Sequence, residues 1–272
     1  MIARLTMLAV MTAVGAEQAW AQACHDPQEV AVAPIGARAT VDADLGAPTT
    51  ADGPTFAGVG LRLDGRYRDF AAFTALRGYQ VVRPEARASG LGDLLIGLRH
   101  RTLTRGDHAG TGPSIAATLP TGSREDGLGM GHAMMMAGLW GWWSWSGVSV
   151  VAEAGYGRAL GGDGHAAHGP GVQLVDPMNR SELGGAAAVT IPVAASWRLR
   201  SSATAAVPIG DHAGESRARA SVGGSWEGAR TSLGAQVELP IAGFDYAVRL
   251  RVSLGVRWGG PNQRPATAYA TQ

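Results

Sequence analysis

Two groups of side chains have the types and spacing for chemistry. His165 and His168 stand three apart in a Gly/Ala-rich run, with Asp176, Met178 and Glu182 downstream. Two imidazoles at that spacing can share a metal, and a thioether or carboxylate can complete the set. His132, Met134 and Met136 form the second group. On a strand these alternate positions share one face, and thioethers suit Cu(I). A copper-linked role using His165, His168, Met178, His132, Met134 and Met136 is therefore one reading. The plainer reading is solvated histidines in a loop and methionines that face lipid or pack among apolar neighbours. No other cofactor is called for. The chain has no G-x-S-x-G, P-loop or H-E-x-x-H motif, so no catalytic residue is assigned and an enzyme is not expected.

A third set is larger. All 23 basic residues are arginine. In residues 245–258, Tyr246, Val248, Leu250, Val252, Leu254, Val256 and Trp258 fall on one face of a strand, and Arg249, Arg251 and Arg257 on the other. A strand has a side-chain period of two, so one face is apolar and the other polar or small. Several arginines on one strand cannot face a dry core without partners. An apolar face toward lipid and a charged face toward a wet lumen is the transmembrane β-barrel pattern.

The elements that must position these side chains recur along the chain. Strand candidates are 37–45, 56–66, 76–84, 91–102, 112–121, 130–142, 147–158, 182–192, 197–207, 216–227, 230–239 and 245–258. They are separated by Gly, Pro, Asp and Ser clusters. That is an even number, as single-chain bacterial barrels have, and most are long enough to span. Residues 69–73 read as a short helix. The expected fold is all-β, a single antiparallel transmembrane barrel of about 12 strands. A water-soluble β-sandwich would also alternate, with its polar face outward. Links around Ser144, Ala194 and Gly228 are very short and would be periplasmic turns. The longest, residues 159–181, would be extracellular. Trp140, Trp142, Trp143 and Trp145 surround one proposed turn, and Trp226 and Trp258 end strands, as an interfacial girdle requires. Sugar stacking is the other use for such a cluster. His100 falls on the lipid-side register near a rim.

Composition agrees. Only 17% of residues are charged and 40 are glycine. The mean hydropathy is near zero, and no apolar run approaches the roughly 18–20 residues of a membrane helix. Net charge is +1, so no nucleic-acid partner is expected. Arg4, an apolar stretch at residues 5–16, and A-x-A-like sites at residues 19–23 predict a signal peptide over residues 1–23. Residues 24–258 then form the barrel, with an irregular segment at 24–35, and 259–272 a disordered tail. Cys24 is the only cysteine, so no disulfide is possible within the chain. It is read as a free thiol, with lipidation the alternative.

Two short motifs carry a family resemblance. Gly90-Leu91-Gly92-Asp93 opens one strand, and Leu119-Pro120-Thr121-Gly122 closes another. Together with the Trp-rich turn, Glu153-Ala154-Gly155-Tyr156 and Glu182-Leu183, they resemble the outer-membrane barrel "transporter" family of the phenol meta-pathway degradation proteins. The resemblance covers roughly residues 90–199. It implies an outer-membrane location and passage of small molecules, hydrophobic or aromatic compounds among them. Read physically, Gly90 and Gly92 suit a rim turn or bulge, Asp93 pairs with a lumenal arginine, and Pro120 ends a strand.

The expected lumen-lining set is Arg62, Arg66, Asp93, Arg99, Arg101, Arg198, Arg200, Arg217, Arg219, Arg249, Arg251 and Arg257, with Asp42, Asp44, Asp64, Glu153 and Glu238 as acidic counterparts. An open lumen with this arginine surplus would prefer anions weakly. A lumen filled by the ladder would make the barrel structural. Expected partners are outer-membrane lipids, a small solute and, during biogenesis, the barrel-assembly machinery.

Overall fold

The computed structural model describes residues 35–50, 53, 55–82, 87–106, 108–161, 179–210, 216–244 and 246–258. The expected signal peptide and tail lie outside them, as do His165, His168 and Met178.

Fourteen strand segments form one sheet. They are β1 (Ile35–Pro48), β2 (Thr55–Tyr67), β3 (Phe70–Val82), β4 (Arg87–Leu91), β5 (Leu94–His100), β6 (Leu103–Arg105) and β7 (Ala109–Leu119). After these come β8 (Ala133–Trp145), β9 (Val148–Leu160), β10 (Ser181–Ala194), β11 (Trp197–Pro208), β12 (Arg217–Glu227), β13 (Thr231–Ala242) and β14 (Tyr246–Trp258). β4 and β5 both pair with β3, and β6 continues onto β7. These three pieces are one interrupted stave. Every stave pairs antiparallel with its neighbours, and β14 pairs back on β1, so the sheet closes as a twelve-stranded barrel. Closure removes the exposed edges that an open sheet would present.

Alternation decides which way each side chain points. In β14, Leu250 is 51% exposed and Arg249 is 1% exposed. Val41, Leu61 and Leu254 lie in one hydrogen-bonded row on the outer face. Thr40 and Arg62, one residue away, face inward and are buried. Burying the polar face inside and leaving the apolar face outside suits a barrel in lipid.

Three expectations are corrected. Residues 69–73 are not helical: Arg68 and Asp69 form a tight turn with Arg68 at φ 55°, and Phe70 opens β3. The residues of β3 had the right period all along, Phe73, Ala75, Arg77 and Tyr79 inward, but small residues on the outer face weaken the pattern. Tyr246 does not share the outer face of β14. The pairing skips Ala247 between Ala47↔Val248 and Pro48↔Tyr246, and this bulge swings Tyr246 inward, where it is buried. The tryptophan cluster is split by the same period of two. Trp143 and Trp145 face out, while Trp140 is buried inside and stacks with Trp142 at 5.2 Å.

The two rims differ. One rim carries both ends of the barrel chain and tight turns, including Ser146 and Gly147 at φ 49° and 82°, the geometry a two-residue hairpin needs. Exposed Tyr67, Phe70, Trp143, Trp145, Trp197 and Trp258 ring this turn rim. The opposite loop rim carries the longer connections, and its exposed outer residues include Leu45, Leu91, Leu160, Ile209 and Ile241.

Candidate functional site

The lumen is braced by ion pairs that link strands far apart in sequence. Arg249 pairs with Asp44, and Arg77 bridges Asp44 at 3.1 Å and Asp42 at 2.5 Å. Glu238 accepts a hydrogen bond from the Tyr246 hydroxyl at 2.5 Å and lies 3.4 Å from Arg219. Arg217 donates to Glu182 at 2.6 Å, and the Asn179 backbone N–H donates to the same carboxylate at 2.8 Å. Arg99 pairs with Glu153. These charges are out of bulk water, so each depends on its partner to offset desolvation. Aromatic faces add to this. Arg62 lies 4.6 Å from the Phe73 ring centroid and Arg249 5.4 Å from that of Phe56.

Not every expected lumenal residue reaches the same place. Arg62, Arg99, Arg217, Arg219 and Arg249 are buried inside the barrel. Arg62, Arg198, Arg200, Arg219 and Arg251 line its cavity. Arg66, Arg101 and Arg257 lie at the turn rim. Arg66 donates to the Arg68 carbonyl, and Arg257 pairs with Glu227 at 2.7 Å. Arg101 pairs with Asp69, and that hydrogen bond is the main reason the exposed Asp69 carboxyl titrates below the usual aspartate range. His100 packs against Phe70 at the same rim, the rings tilted by 55° with 4.6 Å between centroids. Arg38, Arg77 and Glu182 were missing from the expected lumenal set. Arg77 fell in the expected strand 76–84, which began six residues later than the observed strand and was not assigned a lumenal face, and Glu182 was grouped with the metal candidates.

Asp93 does not pair with an arginine. Its two carboxylate oxygens accept the backbone N–H groups of Gly122, at 3.0 Å, and Met130, at 2.8 Å. Thr121 completes the clasp. Its hydroxyl donates to the Gly92 carbonyl at 2.7 Å and accepts the Leu94 N–H at 2.9 Å. The Gly-Leu-Gly-Asp and Leu-Pro-Thr-Gly motifs are therefore one structure. Together they fold residues 120–132 into the barrel from the loop rim. Gly129 passes so close to Asp93 that an added Cβ would overlap its carboxylate. At the loop's tip Leu128 is 2% exposed, seated among Phe56, Tyr79, Val81 and Tyr246. Nothing in the sequence pattern marked this loop as inward-folding.

The methionines of β8 also point inside. Met134 and Met136 join Met130, Phe73, Leu95 and Ala116 in an apolar cluster, and His132 precedes them, half buried. Among the described residues no three His, Cys, Asp or Glu side chains gather in a metal-ligand group.

Between the loop and the far wall lies a cavity of about 240 Å³. It reaches from Arg38, Arg198 and Glu227 near the turn rim to Tyr79 and Leu128 beneath the loop-rim cluster. The β11–β14 wall is built from Arg198, Arg200, Arg251 and small polar residues such as Ser202, Ser221 and Ser253.

No family model and no curated relative matches the sequence. Solved structures do resemble the fold. The COG4313 outer membrane channel from Pseudomonas putida F1 aligns at TM-score 0.65 and 14% identity, over 86% of this chain and 98% of that one. The NanC porin aligns at TM-score 0.55 and 7% identity, over 80% and 99% of the two chains. The KdgM porin, in complex with disordered oligogalacturonate, aligns at TM-score 0.52 and 9% identity, over 81% and 99%. At these identities the likeness establishes the architecture: this chain folds as an outer-membrane-type β-barrel.

Proposed function

We propose that the protein is a passive outer-membrane channel for small solutes, inserted with its turn rim toward the periplasm, and that it favours anions. The observation that carries this reading is the cavity inside the closed barrel, with Arg198, Arg200 and Arg251 on one wall. Charged rings in a pore set the sign of the permeant ion. Of the carboxylates of the same cavity, Asp42, Glu227 and Glu238 are each engaged by a different arginine, Arg77, Arg257 and Arg219, and Asp93 by the backbone N–H groups of Gly122 and Met130. The likeness to porins and to an outer membrane channel supports the reading at the level of architecture. Export by a signal peptide and passage of hydrophobic or aromatic compounds belong to the same proposal. They rest on residues 1–23 and on the motif resemblance.

The test is the reversal potential across a planar bilayer holding the purified barrel in a salt gradient. The expected potential lies on the chloride side. Arg198→Gln with Arg200→Gln moves it toward the cation side. A barrel that inserts and passes no current is the structural alternative and sinks the channel.

A further inference from the structure

We infer that residues 122–130 are the gate of the lumen, with Leu128 as its seal and the Asp93 carboxylate as its latch. The inference rests on the channel reading and adds a closed state to it. The two ends of the cavity differ in wetness. Toward the turn rim, Arg198, Arg200 and Ser225 line it and stay partly exposed. Toward the loop rim, the inward side chains of Phe56, Tyr79, Val81, Leu128 and Tyr246 are only 0% to 6% exposed. An open mouth would leave side chains that face the lumen in contact with water. These cover one another instead. Phe56 meets Tyr79 and Tyr246 edge to face, with ring centroids 6.3 and 5.6 Å apart. A dry apolar constriction stops ions, because it holds no groups to replace their hydration.

Of these five side chains, only Leu128 is carried by a loop; the other four belong to β2, β3 and β14. The strand residues are fixed in the closed sheet, so Leu128 is the member that can leave. It seats against Gly90 of β4, which has no side chain to obstruct it. Its turn is bonded to itself. The N–H groups of Leu128 and Gly129 donate to the Ser123 carbonyl at 2.8 and 3.2 Å, and that of Gly127 to the Arg124 carbonyl at 3.1 Å. A turn that satisfies its own backbone can move off the wall as one piece. Gly131, at φ 72°, separates it from β8. The Asp93 carboxylate opposes that movement, since it holds the N–H of Gly122 before the turn and of Met130 after it. Breaking both bonds lets Leu128 withdraw and joins the cavity to the loop rim.

Single-channel recording in planar bilayers tests this on the full-length barrel. The wild type is expected to open briefly and to stay closed most of the time. Asp93→Asn replaces one acceptor oxygen with an amide NH2, and Leu128→Ser removes the apolar seal. Each is expected to raise the open-to-closed ratio at least about ten-fold. Ten-fold corresponds to about 1.4 kcal/mol, which the loss of one hydrogen bond to a charged group reaches. Heat-modifiable gel mobility verifies that each variant is folded, and Leu128→Ala serves in place of either one that is not. A wild type that stays open throughout, or ratios unmoved in the folded variants, overturns the gate and leaves the channel. A further variant replaces residues 123–129 by Gly-Gly, since the flanking residues meet at Asp93. If neither this barrel nor any of the others passes current, the channel reading falls and the gate with it.

Discussion

The carboxylate of Asp93 accepts the backbone N–H of Met130, 37 residues further along the chain, at 2.8 Å. Its other oxygen takes the N–H of Gly122. One side chain at the break between β4 and β5 thus holds both ends of the segment that roofs the lumen.

Removing that carboxylate should free the loop. Asp93→Ala leaves two backbone donors without their charged acceptor, at a cost of roughly 1.5–3 kcal/mol for each such bond. Arg124 lies in the released segment, half buried in the wild type. Limited trypsin digestion of the folded barrel should cut after Arg124 much faster in the variant. Equal cleavage rates would mean that the clasp does not hold the loop.

The ion-pair ladder divides into buried and partly wet members. Asp44→Ala takes from buried Arg249 its nearer carboxylate, leaving Glu238 at 3.7 Å, and deprives Arg77 of one acceptor, so a loss of about 3 kcal/mol is expected. Asp64 pairs with Arg62 at 2.9 Å but keeps 28% of its side chain exposed. Asp64→Ala is therefore expected to cost less than about 1 kcal/mol. Urea titration of folding into lipid vesicles compares the two directly. Equal losses contradict a dry ladder around Arg249.

Alternation predicts opposite results for the same substitution on two faces. Leu61→Arg places a charge on the outward apolar band and should cost about 2–4 kcal/mol near the bilayer midplane. Gln236 lines the cavity, so Gln236→Arg should cost far less and make the pore more anion-selective. The vesicle-folding assay and the reversal potential read the two effects separately.

At the turn rim the Arg101 contact should keep Asp69 ionised to lower pH than a free aspartate. Asp69 titrates below the ordinary aspartate value, chiefly because of its hydrogen bond from Arg101. A depressed folded-state value means the pair's contribution is present above the unfolded-state pKa and is lost as pH falls through the folded-state one. Carboxyl NMR of Asp69 should move its midpoint upward in Arg101→Gln. An unmoved midpoint excludes Arg101 as the cause.

Much of this architecture is local and so was legible. The period of two in β14, from Arg249 to Trp258, needs only neighbouring residues to state which face is charged. The count of twelve staves followed from repeating that pattern between turn clusters. The short turns expected around Ser144, Ala194 and Gly228 fall within two residues of the observed ones. Where one register slip occurs, the pattern fails. Ala247 is bulged out, and Tyr246 therefore enters the lumen against the alternation.

What only the tertiary structure decided is which charges meet and where the loops go. Asp44 and Arg249 are 205 residues apart, and only barrel closure through β1 and β14 makes them neighbours. The two glycine-rich motifs read as separate rim turns, yet Thr121 and Asp93 join them into a clasp. A strand's period specifies a face but carries no information about loops. The inward course of residues 120–132 depends on a carboxylate in another stave and on a pocket built from β2, β3 and β14.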